Sequence, residues 1–256
     1  MAVPQIMTMR VRLLLLALFC LAGCGTSLTL VSPPNPGDQV GYTSISDSIQ
    51  SDPAIAALVA PFAEALVDEI SEVIGRAEVE ITKGRPEGPL GTFAAEAMLK
   101  EVQNVSEDPV DMALTNNGGL RTTIGPGPIT VGKMYELMPF DNMMIVLDLS
   151  AAQVDSLAQQ LARNGGDPIA GFSFVVTPDG RATQLRVGGN TVTDDRAYRL
   201  VTSDYLANGG GPYTVLWDPT IHREELAFFL RDAFINHLRR IGNVEDRVDG
   251  LIRFQQ

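Results

Sequence analysis

Three stretches of this chain hold residue types that a plain turn does not need. Asn116-Asn117-Gly118-Gly119-Leu120-Arg121 sets two amides and two glycines beside an arginine. Met138-Pro139-Phe140-Asp141-Asn142 offers an aromatic ring, an acid and an amide. Ser203-Asp204-Tyr205-Leu206-Ala207-Asn208-Gly209-Gly210-Gly211 offers a second ring ahead of three glycines. Paired glycines let backbone approach a ligand closely and present N–H donors to it. Arg121 is a forked donor suited to phosphate or carboxylate. Phe140 and Tyr205 are candidates to sandwich a flat aromatic ligand. Each feature alone has an ordinary reading as a turn, a solvated arginine or a core ring. Their occurrence together, in order, points to a ligand.

The first and third stretches follow apolar strands, and the second precedes one. Apolar spacing predicts a long amphipathic helix over 53 to 75, a strand at 79 to 82, a helix at 91 to 102 and a strand at 110 to 114. Thr130 caps a short helix at 131 to 137, a strand covers 144 to 149, and Ser150 caps a helix at 151 to 163. Segments 172 to 177 and 184 to 187 read as a hairpin around Pro178-Asp179-Gly180. A strand at 198 to 202 runs toward the glycine-rich segment, and 223 to 240 reads as a last amphipathic helix. Helices mixed with at least one antiparallel pair predict an α/β (α+β) fold of layered helices and mixed sheets. Composition is continuous from residue 53, so 53–256 is expected to be one domain.

The N-terminus reads as an export signal. Arg10 and Arg12 precede an apolar run from Leu13 to Leu21, which ends in Leu21-Ala22-Gly23-Cys24. That pattern matches a bacterial lipoprotein box: 1–23 are expected to be removed and Cys24 to carry lipid. Residues 24–52, rich in Gly, Ser, Thr and Pro, then form a flexible tether. This places the chain outside the cytoplasm on a membrane anchor, in the periplasm or on the outer membrane. Without residues 1–23 no free thiol remains, which excludes a cysteine nucleophile and a cysteine-ligated metal.

Charge excludes another class. Lys plus Arg is 19 against 31 for Asp plus Glu, a net charge of -12, so the surface repels a nucleic-acid backbone. The 2 histidines, His222 and His237, are too few for a multi-histidine metal centre.

Taken together, the three stretches resemble the C-terminal domain of bacterial and animal 5'-nucleotidases. That family carries an Asn-Gly-Gly-Gly-Ile-Arg-like loop, a Pro-Phe-x-Asn segment and an Asp-Phe/Tyr-Leu-Ala-Asn-Gly-Gly-Asp loop. Here they stand as Asn116 to Arg121, Pro139 to Asn142 and Asp204 to Gly211. Pro86 to Thr92 is similar to the family's Arg-x-x-Glu-x-x-x-Gly-Asn segment. The resemblance implies that Phe140 and Tyr205 clamp a nucleobase, that Arg121 and Asn116 hold phosphate, and that Asn142 hydrogen-bonds the base. Two positions depart from the pattern. Gly211 stands where the family has the Asp that holds ribose hydroxyls, and the family's upstream Arg falls on Gly84, with Arg85 as a neighbouring substitute. An aspartate restored at 211 is expected to improve ribose recognition.

The resemblance implies nucleotide recognition without hydrolysis. The family's metal-binding motifs, Asp-x-His, Gly-Asn-His-Asp/Glu and Gly-His-x-His, belong to a separate metallophosphatase domain and do not occur here. The expected function is therefore the nucleoside- or nucleotide-binding part of a 5'-nucleotidase-type hydrolase. No catalytic residue, metal or cofactor is expected on this chain, and divalent metals are expected on a partner metallophosphatase chain. The alternatives are a non-catalytic nucleoside- or nucleotide-binding lipoprotein and a scaffold that keeps the fold without the ligand.

Overall fold

The computed structural model describes residues 50–255. The expected signal, Cys24 and most of the expected tether lie outside the described residues. The chain divides by its internal contacts between Asp52 and Pro53. No helix among the described residues is long and apolar enough to cross a membrane.

A five-stranded sheet forms the centre. Its strands are β2 (Met112–Leu114), β4 (Met143–Leu149), β5 (Ile169–Ala170), β9 (Tyr198–Ser203) and β10 (His222–Phe229), in the order β10-β4-β9-β2-β5. Strands β2 and β9 run parallel, while β4 is antiparallel to both β9 and β10. Side chains alternate across a strand, and here both faces are buried. On β4, Met144 and Val146 join one core, while Ile145, Leu147 and Leu149 join the other.

The first core is closed by α2 (Pro89–Val105), α3 (Val131–Leu137) and α6 (Leu230–Ile241). Beside it lies a small sheet of β1 (Val73–Ala77), β3 (Gly127–Thr130) and β11 (Asn243–Val244), in the order β11-β1-β3. Pro89 opens α2 at a position where its missing N–H costs nothing. The second core is closed by α4 (Ala151–Arg163) and by a sheet of β6 (Phe172–Val176), β7 (Ala182–Val187), β8 (Asn190–Thr191) and β12 (Ile252–Phe254). Val154, Leu157, Ala158 and Leu161 give α4 its buried stripe. Ser150 and Gln153 form a reciprocal capping box at its start, and Thr130 caps α3 through the Lys133 N–H. The mixed α/β class, both caps and the hairpin agree with the sequence reading.

Three boundaries differ from it. The strand expected at 79 to 82 lies earlier, as β1, and only Ile81 makes an isolated bridge to Ile124. The segment 223 to 240 is not one helix. Residues 222–229 pair with β4 as an edge strand, and the helix begins at Leu230. The stretch Arg223-Glu224-Glu225-Leu226-Ala227-Phe228 also fits helical spacing, and the open edge of β4 decides in favour of the strand. The first helix, α1 (Pro53–Ser71), ends before Val73, and Ile55, Leu58, Phe62 and Leu66 on it are exposed. Its spacing marks a helix, but its apolar residues are not buried among the described residues.

Candidate functional site

Parallel strands β2 and β9 both end at one edge of the central sheet. Antiparallel β4 begins at that same edge, so the segments after β2, before β4 and after β9 converge there. Thr202 Oγ1 donates to the Leu114 carbonyl at 2.9 Å, which locks the two parallel strand ends side by side. Ligands in open α/β sheets lie beyond such carboxyl ends.

A cleft of about 440 Å³ opens at this edge. Asn116, Arg121, Phe140, Asn142 and Tyr205, all five binding residues read from the sequence, line it together. Phe140 is 43% exposed and Tyr205 49%, so neither ring is spent in the core. Arg121 donates to the Gly118 carbonyl at 3.1 Å and its guanidinium carbon lies 5.9 Å from the centre of the Phe140 ring. No carboxylate pairs with it among the described residues, so its remaining donors are open to an anion.

Each loop is shaped by close contacts. The Asn116 carbonyl accepts from the Gly119 N–H at 3.1 Å, closing the first turn. The third stretch is not all loop. Ser203 Oγ accepts from the Leu206 N–H at 3.2 Å and caps a single helical turn, α5 (Asp204–Ala207), which carries Tyr205. Asp204 Oδ1 accepts from the Tyr205 N–H at 2.7 Å and from Asn142 Nδ2 at 2.9 Å, joining the second and third segments. The Tyr205 ring lies against Gly210, where a Cβ would sit 2.3 Å from Cε2. Gly210→Ala should therefore displace the ring and lower the affinity for a nucleoside about tenfold, read by calorimetry. Unchanged affinity would mean that the ring seat does not matter for binding.

Two expectations are corrected. Arg85 does not serve the cleft. Its guanidinium donates to the Asn164 carbonyl at 2.8 Å, to the Gly166 carbonyl, and to Asp167 at 3.3 Å. Nor does Gly211 face the cleft: a Cβ there would lie 2.6 Å from Leu206 Cδ2 and 3.7 Å from Tyr213 Cδ2. A side chain at 211 would start against Leu206, which must shift to admit it. Glu87, in the fourth resembling segment, instead accepts the Gly250 N–H at 2.8 Å and the Ile252 N–H at 2.5 Å, holding β12.

Sequence reasoning missed Arg231. It is 6% exposed, in the first turn of α6, and donates to the carbonyls of Met138 and Phe140 at 3.2 and 3.3 Å and to Asp141 at 2.9 Å. Its guanidinium carbon also lies 4.0 Å from the centre of the Tyr135 ring. One buried cation thus fixes the Phe140 segment. The one signal was an arginine at an otherwise apolar position of that helix, which reads equally well as a solvated residue. His237 lies in the core against Phe93, and burial holds its pKa below the ordinary value of 6.5. His222 is exposed and meets Asp148 at 3.2 Å. Among the described residues no group of three or more His, Cys, Asp or Glu side chains is placed to hold a metal ion.

The family described as the 5'-nucleotidase C-terminal domain matches residues 73–218, more than half of the chain. The chain belongs to that family. It is 30% identical over 231 residues to a trifunctional nucleotide phosphoesterase protein of Bacillus subtilis, covering 82% of this chain and 16% of the relative. It is 25% identical over 183 residues to a 5'-nucleotidase of Vibrio cholerae, covering 68% of this chain and 32% of the relative. Among solved structures, a 5'-nucleotidase precursor from Thermus thermophilus superposes with a TM-score of 0.66 at 28% identity, over 79% of this chain and 43% of that one. A Haemophilus influenzae NAD nucleotidase shares the fold with a TM-score of 0.65 at 18% identity, over 81% of this chain and 42% of that one. The chain spans about a third or less of the curated relatives' length. The match covers all three cleft segments.

Proposed function

We propose that this chain is the substrate-recognition domain of a 5'-nucleotidase-type hydrolase, and that its ligand is a nucleoside or nucleotide held in the cleft. The observation that carries this reading is the convergence of Asn116, Arg121, Phe140, Asn142 and Tyr205 on one cleft. The base would lie between the Phe140 and Tyr205 rings, whose faces suit any aromatic heterocycle. Arg121 would hold phosphate with Asn116. Asn142 donates its amide N–H to Asp204, which leaves its Oδ1 to accept from a base amino group.

Hydrolysis would come from a separate metallophosphatase chain, a reading supported by the lack, among the described residues, of a group of His, Cys, Asp or Glu side chains placed to hold a metal ion. The purified protein should release no phosphate from nucleoside monophosphates in divalent metal, and release should appear when a lone metallophosphatase of the same genome is added. Turnover by this chain alone, abolished by chelator, would overturn the division of labour. No turnover with a metallophosphatase partner, but nucleotide binding, would favour a non-catalytic binding protein.

The chain would work outside the cytoplasm, tethered through Cys24, because the apolar run closes on Leu21-Ala22-Gly23-Cys24. Cys24→Ser should move the protein from the membrane fraction to the soluble one. A mutant that still sediments with membranes contradicts the anchor.

A further inference from the structure

Asp167 lies between α4 and β5, outside the three segments that line the cleft, and is 4% exposed. Its Oδ1 accepts from the Asn117 backbone N–H at 3.0 Å, from Asn117 Nδ2 at 3.2 Å and from Arg85 at 3.3 Å. Its Oδ2 accepts from the Tyr213 hydroxyl at 2.6 Å. Tyr213 is fully buried two residues beyond the glycine run. Burial, with the Asp167 charge second, pushes its pKa far above the ordinary value, so its hydroxyl stays a donor. Asn117 stands between the cleft residues Asn116 and Gly118. One buried carboxylate therefore fastens the first loop, which carries Asn116 and Arg121, to the end of the third, which carries Tyr205. Hydrogen bonds to a charged acceptor in a buried setting are the strong ones, and both oxygens of this carboxylate are engaged.

We propose that Asp167 is a positioning residue of the cleft, setting the first loop so that Asn116 and Arg121 distinguish phosphorylated from unphosphorylated nucleosides. This rests on the reading of the cleft as a nucleotide site. Asp167 does not reach the ligand. It acts through Asn117, whose backbone N–H and side-chain amide both reach its Oδ1, the amide also donating to the Gly84 carbonyl at 3.3 Å. Arg85 balances the charge from the outer side, which explains its absence from the cleft.

Asp167→Asn keeps the shape and removes the charge. An amide oxygen still accepts from Asn117, more weakly, and the amide N–H can donate to the Tyr213 oxygen, so the fold is retained. The test is calorimetry on the full chain, with adenosine and adenosine monophosphate as probes. The ratio of the two affinities should fall about tenfold in Asp167→Asn. Tyr213→Phe, which breaks only the bond to the third loop, should weaken both probes alike and leave the ratio near that of the wild type. Should Asp167→Asn fail to fold, Asn117→Ala carries the test, with the ratio expected to fall in the same direction. A purely structural role lowers the unfolding temperature and leaves the ratio unchanged, and that result overturns the proposal. Wild-type protein that binds neither probe would overturn the nucleotide reading itself.

Discussion

Alanine in place of Phe140 or Tyr205 should weaken nucleoside binding by about 1–3 kcal/mol each, which is roughly 5- to 150-fold in affinity. The basis is that both rings are exposed on one cleft, one on the segment before β4 and one on α5. A ring left open in this way contributes little to folding, so its removal should change ligand affinity without changing the unfolding midpoint. Arg121→Ala makes the complementary change. It should leave nucleoside affinity near that of the wild type and weaken the monophosphate, because the guanidinium supplies charge rather than a stacking face. Calorimetry with a nucleoside and its monophosphate separates the two effects. Equal losses for both ligands in every variant would indicate general damage to the cleft rather than separate base and phosphate subsites.

Arg231→Met should cost about 2–4 kcal/mol of stability, because the buried Met138 carbonyl loses its donor at about 1–3 kcal/mol and the part-buried Phe140 carbonyl loses its own at about 1 kcal/mol, the low end of that range. Asp141, the charged partner, is largely exposed, so solvent screens that pair and it adds little. Methionine keeps an unbranched apolar stem in the buried position, so the change is confined to the guanidinium, its contact with the Tyr135 ring included. A urea titration should show a lower midpoint at an unchanged slope. Because Met138 and Phe140 are the residues released, the same variant should also lose nucleoside affinity. A variant with wild-type stability and affinity would mean that the second segment holds its own shape.

Much of the cleft was legible because its parts are local and carry unusual types. Three short stretches rich in Gly, Asn and aromatics, each beside an apolar strand, supplied the five candidate binding residues, and all five are among those that line it. The capped helices were legible for the same reason: Ser150 with Gln153, and Thr130 ahead of Val131, are signals within one turn of chain. What failed was decided at long range. Leu230 starts a helix while the residues just before it form a strand, because the edge of β4 takes 222–229 into the sheet. Arg85 looked like a phosphate ligand by proximity in sequence. Its actual partners are about eighty residues away, at Asn164, Gly166 and Asp167. Asp167 and Arg231 carried no motif at all, since a buried charge is identified by the groups that converge on it and not by its neighbours in the chain.

A crystal structure of the protein soaked with a nucleoside monophosphate tests the central claim most directly. The base should lie between the rings of Phe140 and Tyr205, with the phosphate on Arg121 and Asn116. A nucleotide bound elsewhere, or one whose base lies off both rings, would contradict the assignment of this cleft.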